Sequence, residues 1–207
     1  MESVRSAGSL TVLALLFASL AVPALAQEKK PAAPPMSKEQ QAQMDAMMKA
    51  MTPGEPHKRL AELAGEWTFA SKMWMDPSAP ATESTGTATY RMIMGGRYLH
   101  TEQRGEFNGM PFEGVGVWAY DNVTKKYYSS WIDNMSTGLM FSTGTYDPAK
   151  RAYSWLSDMD DPARPGTKIK VREVMTIVDA NTHRLDWYQA EGGKEAKTME
   201  IVYKRKK

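Results

Sequence analysis

Between Glu66 and Arg205 the sequence falls into a succession of short segments whose side chains alternate in character with a period of two. That alternation is the pattern of an antiparallel sheet with one buried face and one wetted face. Turn residues separate nearly every pair of segments: Gly95-Gly96, Asn108-Gly109, Asp121 to Lys125, Asp147-Pro148, Asp179 to Thr182 and Glu191 to Lys194. Connections this short force successive strands to lie side by side and antiparallel, which makes an up-and-down meander. A meander leaves two exposed edges unless it closes on itself. Eight strands enclose about enough room for side chains or one small ligand, and the diameter grows with strand number. The expectation is an all-β fold, an antiparallel up-and-down barrel of about ten strands preceded by helical segments. Its interior is a cavity unless bulky groups fill it, and the six tryptophans can do part of that filling. Gly86, Gly105, Gly114, Gly116 and Gly144 fall inside strands, where they permit the tight bends of a closing sheet.

Four regions are expected. Residues 1–26 read as a cleaved signal peptide: Arg5 is the positive start, Leu10 to Val22 the apolar stretch, and Ala24-Leu25-Ala26 the small-residue cleavage site. Export to the periplasm or beyond follows, with no transmembrane segment in the mature chain. Residues 27–36, rich in proline and alanine, read as a flexible linker. Residues 37–65 form two helical segments. Ser37 and Gln40 make a capping box for the first, while Thr52, Pro53 and Glu55 open the second and Gly65 ends it. Residues 66–207 are the barrel.

In the first helix Met44, Met47, Met48 and Met51 recur at helical spacing and form one thioether stripe. Soft thioethers suit copper(I), but no Cys accompanies them and His57 is distant, so a docking face for a protein partner is favoured over a metal site. The chain has no cysteine at all, which removes disulfides, thiolate metal sites and Cys nucleophiles. Its formal net charge of +2 is unchanged by loss of the leader, which carries one Glu and one Arg, and gives no global field for nucleic acid.

The Gly65-Glu66-Trp67 sequence, at the junction of helix and first strand, resembles the G-x-W arrangement of lipocalins and other calycins. That resemblance implies that Trp67 closes the barrel base under a basic residue from a late strand, Arg205 or Lys204. A longer match runs from about Pro53 to the end of the chain. It comprises Gly95-Gly96-Arg97-Tyr98-Leu99, Pro111-Phe112-Glu113-Gly114, Tyr120-Asp121-Asn122, Trp131-Ile132-Asp133, Ser136-Thr137-Gly138, Gly144-Thr145-Tyr146-Asp147 and Met199-Glu200-Ile201. By these elements the chain resembles the bacterial domain of unknown function 1579 family. This implies a calycin-like barrel and confers no established activity. The nitrobindin-like haem proteins are similar in using a ten-stranded barrel, and they take an axial His from a late strand. Here His57 precedes the barrel, His100 lies on the third strand and His183 opens the ninth. Of these, His100 is the one read as able to face inward, and no cofactor is assigned.

Candidate ligand-binding residues are polar and aromatic. By parity Tyr127, Ser129, Trp131 and Asp133 share a face of the fifth strand, and Phe112, Trp118 and Tyr120 one of the fourth. Tyr98, His100, Glu102 and Arg104 share a face of the third, and in the eighth only one of Arg172 and Glu173 can point inward. The expected lumen combines Tyr98, Glu102, Trp118, Tyr120, Trp131 and Asp133, with Arg91 or Arg172 pairing the carboxylates. Such a mixture suits a small, partly apolar ligand held by a few polar contacts. The competing assignment makes the aromatics core and the charges a solvated outer face. No phosphate loop, zincin motif or nucleophile elbow is present. An isomerase or lyase using Asp133 and Glu102 as acid and base is the enzymatic alternative. An envelope structural factor contacting partners through the Met-rich helix is the third.

Overall fold

The computed structural model describes residues 36–76, 78–191 and 193–207. The expected signal peptide, and the linker up to residue 35, lie outside the described residues. Helix α1 spans Lys38–Met51 and α2 spans Glu55–Ala61. Ten strands follow: β1 (Gly65–Met73), β2 (Thr82–Ile93), β3 (Tyr98–Phe107), β4 (Met110–Asp121), β5 (Lys126–Asp133), β6 (Met140–Asp147), β7 (Ala152–Asp160), β8 (Lys168–Asp179), β9 (Thr182–Glu191) and β10 (Lys194–Arg205). Each pairs antiparallel with its sequence neighbours, and β1 pairs with β10 to close the barrel. Asn108 and Gly109 both take positive φ (51° and 76°), as a tight two-residue hairpin between β3 and β4 requires.

Every odd-numbered strand starts at the end where α2 sits, and every even-numbered strand finishes there. That end is shut. Leu60 and Leu63, at the C-terminal side of α2, are buried against Trp67, Tyr90, Leu99, Trp118, Tyr127, Tyr153 and Tyr203. Trp67 donates from Nε1 to the Leu63 carbonyl at 3.0 Å. The Arg205 guanidinium lies 4.1 Å above the Trp67 ring and donates to the carbonyls of Glu62, Ala64 and Ala180. One side chain from the last strand thus covers the indole and satisfies the open carbonyls behind α2. A Cβ on Gly65 (φ +143°) would stand 2.3 Å from Arg205 Nη1, so this junction needs glycine.

The second helix starts differently from the sequence expectation. Thr52 does not cap it; its hydroxyl donates to the Met48 carbonyl at the end of α1. Gly54 takes the N-cap position, and its N–H donates to Nδ1 of His57 at 3.1 Å. His57 is buried edge-on to Tyr120, and desolvation lowers its pKa. An imidazole acceptor reaching back three residues does the work expected of Glu55.

Inward glycines make room for rings. A Cβ on Gly114 would meet Trp131 at 2.2 Å and one on Gly86 would meet Phe69 at 2.4 Å. Each ring occupies the space that a side chain at the glycine would need.

Candidate functional site

The register settles which side chains enter the barrel. Trp67 opposes Ala88 and Arg205, Tyr90 opposes Thr101, Leu99 opposes Trp118, and Trp118 opposes Ser129. The inner row of β3 is therefore Leu99, Thr101 and Gln103, all buried. Tyr98, His100, Glu102 and Arg104 face outward, which corrects the placement of Tyr98 and Glu102 in the lumen. The reason is chemical: three of these four side chains can carry charge, and such a row is satisfied by water and cross-strand partners. Arg91, also outside, donates to Glu102 at 2.9 Å, and His100 Nδ1 lies 3.6 Å from the same carboxylate. Arg172 is outward as well. It holds Glu195 through two bonds of 2.8 and 2.6 Å and lies 4.0 Å over the Tyr188 ring. Its expected pairing with a lumenal carboxylate is not made.

Four candidates do face inward. Trp118 and Tyr120 belong to the shut half, among Tyr127, Tyr153 and Trp155. Trp131 and Asp133 lie toward the other end, with Trp131 Nε1 donating to Asp133 Oδ2 at 2.9 Å. The remaining oxygen of Asp133 accepts the N–H groups of Met135 and Ser136, so this carboxylate organises the β5–β6 turn. Asp133 and Glu102 stand on opposite faces of the wall and do not form an acid/base pair.

The half of the barrel away from α2 is built from smaller and wetter groups. Ser71, Ser84, Ser157, Phe112, Trp131, Trp187 and Met199 all point inward there, and all are only partly buried. At its inner limit is Glu173, a residue the sequence left undecided against Arg172. It opposes Trp155 on β7 and Trp187 on β9. Ser142 donates to Glu173 Oε1 at 3.1 Å. Burial pushes the Glu173 carboxyl up to about 7, against the smaller lowering effect of Ser142. Nearby, Gln103 Nε2 donates to the Tyr203 hydroxyl at 3.0 Å. Desolvation raises the Tyr203 phenol to about 12. The signal for Glu173 was available in the flanking residues: Val171 and Met175 share its parity and are apolar, so the strand must turn Glu173 inward with them.

His183 is the histidine that faces inward, and it is sealed in the shut half. Its ring stacks on Tyr203 at 4.5 Å and meets Trp67 edge-on at 4.3 Å. Neither ring nitrogen has a hydrogen-bond partner, and desolvation drops its pKa to about 3. The ring is thus held among Trp67, Tyr90 and Tyr203, 1% exposed, as a core side chain. Among the described residues no cluster of three or more His, Asp or Glu side chains is placed to hold a metal ion.

Two hollows mark the outer surface. One, about 420 Å³, lies between the end of α1 and the β4–β5 turn, lined by Met48, Lys49, Thr52, Pro53, Gly54, Asn122 and Lys125. Asn122 Nδ2 donates there to the carbonyls of Lys49, Ala50 and Thr52, so its main polar group is occupied in capping the helix. The other, about 190 Å³, lies by Ser71, Lys72, Glu83, Ser84 and Glu200.

With this geometry in place, residues 52–205 match the family described as protein of unknown function, DUF1579. The chain belongs to the DUF1579 family. No curated protein matches it. Among solved structures it is similar to the crystal structure of Rv2717c from M. tuberculosis, at 15% identity and a TM-score of 0.52. That alignment covers 75% of this chain and 100% of the other. At this identity the likeness establishes the barrel and nothing further. For this DUF1579 chain, then, the fold is shared, and the chemistry must be read from its own lumen. No helix among the described residues is long and apolar enough to cross a membrane.

Proposed function

We propose that this chain is a binding protein that takes a small, partly apolar molecule into the half of its barrel away from α2. The supporting observation is the unequal filling of the interior. One half is closed by α2 and a mass of rings, whereas the other presents partly exposed aromatic and small polar side chains on the inward face. Apolar walls with a few placed polar groups are the usual composition of a ligand site. The expected leader features, Arg5, Leu10 to Val22 and Ala24-Leu25-Ala26, support an exported setting for this activity. The test is native mass spectrometry of protein prepared gently from its own host. A retained mass of a few hundred daltons, lost on denaturation, is expected on the scale of such pockets. Repeated recovery of the bare chain, together with no tryptophan fluorescence response to medium-chain amphiphiles, overturns the proposal.

A second reading has one observation in its favour. Met44, Met47, Met48 and Met51 are 43 to 56% exposed on α1, and no residue of that helix is buried. A protein partner contacting this stripe would be lost on deleting residues 37–51, and partner recovery unchanged by the deletion disposes of it. The enzymatic alternative gains nothing from the separated Asp133 and Glu102.

A further inference from the structure

We propose that the half of the barrel away from α2 recognises an organic ammonium group, with the Glu173 carboxylate as counter-charge and the indole of Trp187 beside it. This inference rests on the binding reading above and names the head group its ligand carries.

Charge accounting among the buried acids carries the argument. Asp186 is 4% exposed on the outer wall and is met by Arg184 at 3.0 Å and Lys197 at 3.3 Å. Asp161, 6% exposed in the β7–β8 loop, is met by Arg164 at 2.7 Å. Glu173 is 9% exposed and receives one neutral donor, the Ser142 hydroxyl. Among the described residues no Lys or Arg pairs with it. Its sequence neighbour Arg172 is turned to the opposite face and committed to Glu195. A buried carboxyl without a cation is costly to ionise, and a ligand that brings the missing charge relieves that cost.

The neighbours select the sign of that charge. Trp187, partly buried, opposes Glu173 on β9, while Trp155 opposes it on β7 as part of the shut half, 1% exposed and packed against Tyr153 and Trp118, with its indole N–H unpartnered. An indole favours a cation at its face, and the neighbouring carboxylate repels an anionic head group. The Ser157 hydroxyl shares the inner face of β7 with Trp155, one inward position nearer the open end, and is buried with no partner. It can accept one of the ammonium N–H bonds that the carboxylate leaves free. The apolar remainder of the ligand then lies toward the mouth, beside Phe112, Trp131 and Met199.

The test uses three probes of equal chain length, octylammonium, octanol and octanoate, titrated against tryptophan fluorescence of the purified protein at pH 8. Octylammonium is expected to bind at least tenfold more tightly than octanol, and octanoate more weakly than either. In Glu173→Gln the advantage over octanol should vanish while octanol affinity holds. Trp187→Leu, at a partly buried position, should weaken octylammonium severalfold and leave octanol unchanged; it serves if the Gln variant does not fold. Equal binding of amine and alcohol by the natural chain overturns the ammonium assignment and leaves the binding reading standing. So does an amine preference that survives in both variants. Failure of all three probes to bind removes the binding reading and this inference with it.

Discussion

At the α2 end of the barrel His183 is enclosed by Trp67, Tyr90 and Tyr203, with both nitrogens unpartnered. Near mid-lumen Glu173 keeps one donor and faces the wetter half. Desolvation favours the neutral form of both groups, which makes the base harder to protonate and the acid harder to deprotonate. The shut half therefore behaves as core, where a polar atom is tolerated only uncharged. The other half contains the buried acid that pairs with no Lys or Arg among the described residues, and it is there that the proposed ammonium group would bind.

The hardest way to break this contrast is to remove the plug. Trp67→Ala deletes a ring that is 1% exposed, its bond to Leu63 and the surface under Arg205. A loss of about 3–5 kcal/mol is expected in urea denaturation, with the α2 end opening to solvent. An effect below about 1 kcal/mol, the range of a surface site, would show that the shut half is not the core of the molecule.

The pH dependence of stability sharpens the same contrast. For His183 the folded pKa is depressed from 6.5 to about 3, so below pH 6.5 the unfolded chain takes up a proton that the folded one refuses. Its contribution to stability is lost as pH falls from 6.5 toward 3. For Glu173 the folded pKa is raised from 4.5 to about 7, so its contribution is lost as pH rises from 4.5 toward 7. The two slopes oppose each other between pH 4.5 and 6.5. His183→Leu should leave stability falling as pH rises through that window, and Glu173→Gln should leave it rising, each by roughly 2–3 kcal/mol across the interval. Urea midpoints at pH 4.5 and 6.5 decide it; variants with parallel profiles would show that the two sites are not held neutral in opposite senses.

The smallest effect belongs to the outer wall. Arg91→Ala breaks an exposed pair with Glu102 and should cost about 0.2–1 kcal/mol, diminishing with added salt. Ligand titration should be unchanged, since both residues lie outside the lumen.

Much of this fold was legible. Alternation and short turns set strand number, antiparallel order and closure, because a one-residue slip would turn every apolar side chain to water. Tyr127, Ser129 and Trp131 were read onto one face, and the register places that face inward. What parity alone could not supply was which face enters the barrel when both rows are mixed. On β3 the His100, Glu102 and Arg104 row was read as a candidate lining, although Leu99 and the uncharged Thr101 and Gln103 were the better inner set. On β8 the choice between Arg172 and Glu173 needed the apolar flanks Val171 and Met175. The start of α2 departs from the sequence expectation for a different reason. Capping-box logic favours an acid at the third position, and here the imidazole of His57 supplies the acceptor instead.

The capping of α1 has a consequence of its own. Its last carbonyls are gripped by Asn122 and by Arg97, which donates to Met51 at 2.9 Å, while the rest of the helix buries nothing. A rod clamped at one tip transmits little to the drum that holds it. Lengthening, trimming or replacing what precedes residue 52, where the family match begins, leaves the stave-and-lid construction behind it intact.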